Sequence, residues 1–289
     1  MRRTKGEKAF DVVNIFLMLL VCIATLYPLW YTAIASFSDP MAVSRGVVTV
    51  WPVGFELASY KKVFSMDNIW TSYGNTIFYS VVGTLINLVL TILGAYPLSK
   101  ERLKGRKAIT FCILLTMWFN AGLMPTFLNF RNLNLYNTRT GILLCFAVNS
   151  FYVILMRTFF ENVPESMEEA AKIDGAGDGT ILTKIYLPLS LPAVATITMY
   201  YFVGRWNSYF WSMLLLKDES KIPLQVLLKK LIVEISYNVN EGMDLSASVM
   251  TEQTVVYATI MVAVVPMLVL YPFIQKYFVK GVMVGAIKG

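Results

Sequence analysis

The sequence contains no histidine among its 289 residues. This absence excludes the Ser-His and Cys-His nucleophile pairs and every histidine-ligated metal site. Cysteine is scarce as well, because Cys22, Cys112 and Cys145 each stand alone in a separate apolar run. We interpret them as small apolar residues of buried segments rather than as a zinc site. These absences argue against a membrane enzyme, and we predict no cofactor or metal bound by this chain.

Charged residues are also few. They make up 15% of the chain, whereas hydrophobic residues make up 56%. An ordinary soluble domain carries about 25% charged residues, so this composition predicts an all-α polytopic membrane protein. A helix needs roughly 20 mostly apolar residues to cross a bilayer. The six segments that meet this length are residues 12–36, 75–98, 108–127, 141–160, 189–215 and 254–274.

The placement of the basic residues argues against nucleic-acid binding, despite a net charge of +7. Four basic residues precede the first predicted span, and five more lie between the second and the third. Because positive charge stays on the cytoplasmic side, both termini, this short loop and residues 161–188 are predicted to lie in the cytoplasm. We therefore expect a multi-pass protein in contact with membrane lipid, and no nucleic-acid partner.

Two further absences concern the energy source. No aspartate or glutamate lies in the central part of a predicted span. Carriers driven by protons or sodium usually keep a carboxylate there for the coupling ion, which disfavours a secondary carrier. The sequence also has no GxxxxGK[ST] phosphate-binding loop. Energy for transport would therefore have to come from another protein.

One charged side chain, Arg205, lies well inside a predicted span. A charge at that depth has to face protein or a water-filled cavity. Aromatic rings and neutral amides also occur in the spans. They suit sugars, whose C–H faces stack on rings while their hydroxyls take hydrogen bonds. The residues that we predict to line a solute pathway are Trp118, Asn120, Tyr152, Tyr200, Arg205, Trp206 and Asn207.

Structural alternatives stay open for these residues. Arg205 is alternatively a snorkelling residue or the partner of a neighbouring subunit. The aromatic and amide side chains alternatively form interfacial belts and interhelical hydrogen bonds. On the pathway hypothesis, Arg205 meets an acidic sugar by a two-point contact, Trp206 stacks on the sugar ring and Asn207 binds its hydroxyls.

A short polar segment between the fourth and fifth predicted spans carries the most specific pattern. Glutamates in its first half favour a helix over residues 164–174. Ala170 and Ala171 add helix propensity without bulk, so another surface can approach closely. Gly175 can take the left-handed conformation that ends a helix. We interpret this segment as a docking element for another protein.

In this segment Glu169-Ala170-Ala171 is followed after three residues by Gly175, and after nine more by Ile185 and then Leu187-Pro188. This spacing resembles the EAA motif of the permeases of binding-protein-dependent ABC importers. Residues 157–160 and the tail 275–289 resemble the carbohydrate branch, which includes maltose-type and complex oligosaccharide or aldouronate permeases. The resemblance covers residues 1–289 as one permease domain. It implies six transmembrane helices in a type I importer architecture, with a coupling loop at about 161–188.

The resemblance also implies partners. Members of the family sit in the bacterial cytoplasmic membrane beside a second homologous permease, above two ATPase subunits that bind ATP and Mg. A solute-binding protein delivers the sugar from outside, here expected to be an oligosaccharide. The alternatives are a permease for a non-carbohydrate solute and an ion-coupled carrier. The residues expected to contact an ATPase are Glu169, Ala170, Ala171, Asp174 and Gly175.

Overall fold

The computed structural model describes residues 4–240 and 247–286, so the predicted tail segment 275–289 ends outside the described residues. Within these residues all regular secondary structure is helical, as the composition predicts. In chain order the helices are α1 (Lys5–Ser36), α2 (Pro40–Ser44), α3 (Ala58–Phe64), α4 (Asp67–Ser99), α5 (Arg106–Trp118), α6 (Leu123–Asn132), α7 (Arg139–Leu144), α8 (Ser150–Glu161), α9 (Glu165–Ile173), α10 (Asp178–Ile181), α11 (Leu187–Leu189), α12 (Leu191–Trp206), α13 (Phe210–Leu215), α14 (Leu224–Asn240) and α15 (Ala247–Ala286), with a π-helical segment at Leu182–Tyr186 and a 3-10 turn at Glu219–Lys221.

The chain divides into two compact units, of which the first joins Met1–Ile69 to Leu228–Pro266. A small core forms around Ile34 and Val43, and the Tyr257 ring packs edge-on against a tyrosine of α1. Within the part of the chain that the structure describes, the most apolar stretch of α1 is not buried. An apolar helix surface of this kind matches lipid or an apolar partner surface, since water would oppose its exposure.

The second unit comprises Trp70–Leu227 and Met267–Gly289. Its core draws side chains from α4, α8, α12 and the π-helical segment, including the fully buried Met156, Phe160 and Ile197. Small residues such as Ala95 on α4 allow these helices to approach closely. This core positions both of the sites described below.

Three helices of the described chain are long and apolar enough to cross a membrane, or up to five if each of two bent pairs forms one span. The three cover the first, second and last predicted spans. The third is bent, since α5 meets α6 at 117°. The fifth begins where the preceding helical stretch meets α12 at 84°, and it is divided between α12 and α13. The fourth is divided between α7 and α8. The count of six spans therefore stays a prediction.

Backbone conformation explains the breaks. Phe119 is extended and Gly122 has φ +84°, so the helix cannot continue from α5 into α6. Phe146 has φ +52° between α7 and α8. The Asn149 side chain then caps α8 by accepting hydrogen bonds from the backbone amides of Phe151 and Tyr152. These capped, broken helices replace the continuous spans expected from the hydrophobic pattern.

Candidate functional site

The helix predicted over residues 164–174 is present as α9, which begins one residue later and ends one residue earlier than expected. Its role in docking stays a prediction. Gly175 has φ +79°, and its N–H donates to the carbonyl of Lys172 at 3.0 Å. This is the left-handed stop that the sequence predicts. A residue with a side chain would be strained at this φ.

One side of α9 is uncovered within the chain. Glu169, Ala170 and Asp174 are exposed, whereas Ala171 is half-buried against the core of the second unit. Ile173 is 87% exposed, which is unusual for a large apolar side chain. The sequence analysis did not single out Ile173. The uncovered side of α9 therefore combines carboxylates with an apolar contact point.

The opposite side of α9 carries a buried carboxylate, Glu168, that the sequence analysis also did not single out. Its side chain accepts hydrogen bonds from Lys100 and, at 2.8 Å, from the hydroxyl of Tyr186. Lys172, one turn further along α9, donates to the other carboxylate oxygen at 2.6 Å. Glu168 is only 5% exposed. The acceptor capacity of its carboxylate is therefore used by protein donors.

The charge state of Glu168 follows from this environment. Burial alone would raise the pKa of its carboxyl group, but hydrogen bonds from Lys100, Lys172 and Tyr186 outweigh burial and lower that pKa to about 2. Glu168 is thus ionised at neutral pH. Burial, together with the hydrogen bond to Glu168, raises the pKa of the Tyr186 hydroxyl. The tyrosine therefore remains a hydrogen-bond donor.

A cavity of about 370 Å³ lies beside this cluster, and its wall holds a second set of ion pairs. Glu161 at the end of α8 accepts from Arg106 and, at 2.9 Å, from Arg157. Arg102 reaches Asp178 at 2.5 Å. Arg102 and Arg106, which the sequence analysis uses only as topology signals, are therefore bonded to specific carboxylates.

Arg205 lies at a different position, near the end of α12, where its side chain contacts α4 and α7. Its guanidinium donates to the backbone carbonyls of Ile142 at 2.5 Å and Leu143 at 2.9 Å. It also donates to the Asn87 amide oxygen at 2.8 Å. Helix α7 ends at Leu144, which leaves these carbonyls without helical partners. Arg205 therefore caps α7, and among the described residues no carboxylate pairs with it.

A cavity of about 250 Å³ opens beside Arg205. The rings of Tyr152 and Tyr200 stack in its wall, with centroids 5.7 Å apart and planes 9° from parallel. The Tyr201 hydroxyl shares a 2.7 Å hydrogen bond with Thr91. Aromatic rings, hydroxyls and a guanidinium thus face one space. The structure brings together the three predicted pathway residues Tyr152, Tyr200 and Arg205.

The other four predicted pathway residues lie elsewhere. Trp206 is 3% exposed and packs against aromatic rings of the chain itself, outside the lining of the Arg205 cavity. Asn207 is exposed just after α12. Trp118 is 87% exposed at the end of α5, and Asn120 caps the bend that follows. The aromatic pair of the cavity is therefore Tyr152 with Tyr200, and not Trp206.

The close approach of Gly83 to Arg205 gives a testable prediction. A Cβ atom at Gly83 would lie 3.0 Å from Nε and 3.2 Å from Cδ of Arg205. Because three hydrogen bonds fix the guanidinium, the side chain cannot move aside freely. We expect Gly83→Ala to lower the free energy of unfolding by about 1 kcal/mol or more. Thermal unfolding of the purified protein in detergent measures this loss.

Gly94 provides the matched control on the same helix. A Cβ atom there would lie 3.8 Å from Val153, which is an ordinary contact. We expect Gly94→Ala to be neutral or slightly stabilising, because alanine favours a helix over glycine. Equal unfolding temperatures for the two variants would contradict the close packing of Arg205 against Gly83.

Helices able to cross a membrane, an internal cavity of mixed polarity and an uncovered polar helix together define a membrane transport component. More particularly, residues 2–284 match the binding-protein-dependent transport system inner membrane component family, and the chain belongs to this family of ABC importer permeases. It is a transport subunit and not an enzyme.

Similar proteins cover the full chain. The polygalacturonan/rhamnogalacturonan transport system permease protein YtcP of Bacillus subtilis is 39% identical, over 98% of this chain and 99% of the relative. Protein LplC of the same organism is 36% identical, over 100% and 98%. A chain from the crystal structure of a bacterial ABC transporter involved in the import of the acidic polysaccharide alginate is 44% identical, with a TM-score of 0.89 and coverage of 96% and 99%.

Proposed function

We propose that this chain is the transmembrane subunit through which an ATP-driven importer passes an oligosaccharide from an extracytoplasmic solute-binding protein into the cytoplasm. The observation that carries this proposal is the Arg205 cavity, where stacked tyrosines and hydrogen-bonding groups face one space. The relatives support it, because one is named for polygalacturonan and rhamnogalacturonan transport and another for import of alginate.

The same cavity favours a sugar that carries carboxylates. Arg205 has neutral hydrogen-bond acceptors but no anionic partner among the described residues, so no negative charge balances its guanidinium beside the cavity. A positive site in a low-dielectric wall attracts an anionic solute. Polygalacturonan and alginate are built from uronic acids, which carry one carboxylate per unit. Because three donors of Arg205 already bind the protein, we infer that Arg205 acts through its charge rather than through a two-point contact.

In this proposal, the energy for transport comes from two ATPase subunits on the cytoplasmic side of the membrane. The uncovered side of α9, with Glu169, Ala170 and Asp174, is the surface that one ATPase would contact. A second homologous permease would complete the pathway, and the exposed apolar side of α1 would face it or lipid. We further propose six spans, with both termini and α9 on the cytoplasmic side.

Reconstitution tests this proposal. The chain is purified alone, and then with a second permease, the ATPases and the solute-binding protein encoded beside it. We expect the chain alone to hydrolyse no ATP, and the full assembly in liposomes to import an oligogalacturonate only with ATP. An active transporter made of this chain alone, or uptake driven by an ion gradient, would contradict the proposal.

A further inference from the structure

Helix α9 is fastened to the second unit through a buried ion pair. Glu168 projects from α9 and meets Lys100, the first residue after α4. It also meets Tyr186, the last residue of the π-helical segment that leads through α11 into α12. One carboxylate therefore joins the docking helix to the ends of two helical stretches that line the Arg205 cavity.

Lys100 packs against two aromatic rings in addition to its ion pair with Glu168. Its ammonium group lies 3.5 Å from the ring centroid of Tyr186 and 4.4 Å from that of Tyr96, so it contacts two aromatic faces as well as the carboxylate. The two tyrosine rings pack edge to face with centroids 5.3 Å apart. Lys100 is 7% exposed. The ion pair therefore has little room to change its geometry.

Such a pair resists separation. Moving α9 away from the end of α4 would separate the buried ammonium of Lys100 from its carboxylate and leave Glu168 with Lys172, on α9 itself, as its remaining basic partner. Breaking a buried ion pair in this way is strongly unfavourable. Two apolar side chains of similar volume could slide past each other at a much lower cost. A π-helical segment at Tyr186 is a further irregularity of the kind that often marks functional positions in helices.

We propose that the Glu168 cluster, defined as Lys100, Glu168, Lys172 and Tyr186, transmits displacement of the docked helix α9 to α4 and α12. This inference rests on the proposed function, since it assumes that an ATPase moves α9. Glu168 is then a positioning residue. In this proposal the exposed Glu169 contacts the ATPase, and the buried Glu168 makes α4 and α12 move together with α9. The outer and inner carboxylates of α9 thereby have separate roles.

The test replaces the ion pair by apolar residues. The double variant Lys100→Met/Glu168→Met removes both buried charges together, and such replacements are often neutral or stabilising for folding. We expect the variant to fold, to purify with the ATPases and to hydrolyse ATP. Uptake of an oligogalacturonate per ATP hydrolysed is expected to fall about tenfold, which lies in the usual range of coupling between sites.

A second readout does not depend on the identity of the sugar. Cys145 is buried in the wall of the Arg205 cavity, whereas Cys22 and Cys112 are exposed and can be replaced by serine. We expect ATP to change the rate at which a small thiol reagent labels Cys145 in the otherwise wild-type assembly. In the double variant, ATP is still hydrolysed but the labelling rate no longer responds.

The matched control is Arg157→Met/Glu161→Met. This pair lies in the wall of the same 370 Å³ cavity, but Glu161 bonds Arg106 and Arg157, which lie on α5 and α8 rather than on α9. We expect the control to keep both uptake per ATP and the response of Cys145. A loss in the control equal to that in the double variant would show that any disturbed ion pair reduces coupling, which would overturn the assignment.

The remaining outcomes separate the two proposals. A double variant with normal uptake per ATP and normal Cys145 response rules out transmission by the Glu168 cluster. Loss of the ATPases from the purified double variant would show that the Glu168 cluster only shapes the docking surface. This outcome also rules out transmission by the cluster. If wild type fails to import oligogalacturonate while its Cys145 responds to ATP, the substrate proposal is wrong, and the variant still decides the role of the cluster.

Discussion

We expect Gly175→Pro to reduce ATP-driven uptake strongly while leaving the protein in the membrane. Gly175 has φ +79°, which proline cannot adopt, and its N–H donates to Lys172 at the end of α9. The substitution removes the left-handed stop and changes the direction in which the chain leaves the docking helix. Because the change lies outside the cores of both units, insertion is preserved. Uptake in the reconstituted assembly is expected to fall about a hundredfold.

The companion variant Glu169→Lys tests the same surface by charge. Glu169 is exposed and has no role in the buried cluster, so reversing its charge acts on the partner rather than on the fold. Gly177→Ala is the control, because Gly177 has φ −74° and nothing lies within 4 Å of an added Cβ. Normal uptake by both Gly175→Pro and Glu169→Lys would disprove the assignment of α9 as the coupling helix.

The bounds of helix α9 could be predicted almost to the residue because its signals are local. Glutamates in the first turns, two alanines and a terminal glycine act within α9 itself, and the structure ends the helix where they indicate. The buried role of Glu168 could not be predicted in this way. Its partners Lys100 and Tyr186 are 68 and 18 residues away, so only the tertiary fold brings them together.

The predicted spans show that a hydrophobic pattern alone does not locate breaks in a helix. A run of apolar residues specifies burial in lipid or protein but does not state that the helix is unbroken. The run at 108–127 contains Asn120 and Gly122, where the chain turns by 117°. The side-chain oxygen of Asn120, a predicted pathway residue, accepts a hydrogen bond from the amide of Gly122 at this turn. Asn and Gly so close together in an apolar run were the available signal for a turn.

The position of Arg205 depends on the same breaks. Its acceptors on Ile142 and Leu143 exist because α7 ends at Leu144, within a segment predicted to be one continuous span. Sequence alone predicted that the charge needs compensation inside the membrane. The compensation comes from free carbonyls of a broken helix, a source that neither a snorkelling residue nor a subunit ion pair would use.

The last prediction separates the charge of Arg205 from its geometry. Arg205→Gln removes both the positive charge and the guanidinium, whereas Arg205→Lys keeps the charge but cannot reach all three acceptors. Both variants lose the cap on α7, so both are expected to import any sugar more slowly. Their selectivity is expected to differ, because only Arg205→Gln removes the attraction for an anionic solute.

The measurement is the ratio of uptake of an oligogalacturonate to uptake of a neutral oligosaccharide of equal length. We expect this ratio to fall about tenfold in Arg205→Gln, which corresponds to about 1.4 kcal/mol, and to stay near the wild-type value in Arg205→Lys. An equal ratio in all three proteins would mean that Arg205 only holds α7 in place. The ratio cancels effects on assembly and ATP hydrolysis, since these act on both sugars alike, and therefore reports on the charge at the cavity alone.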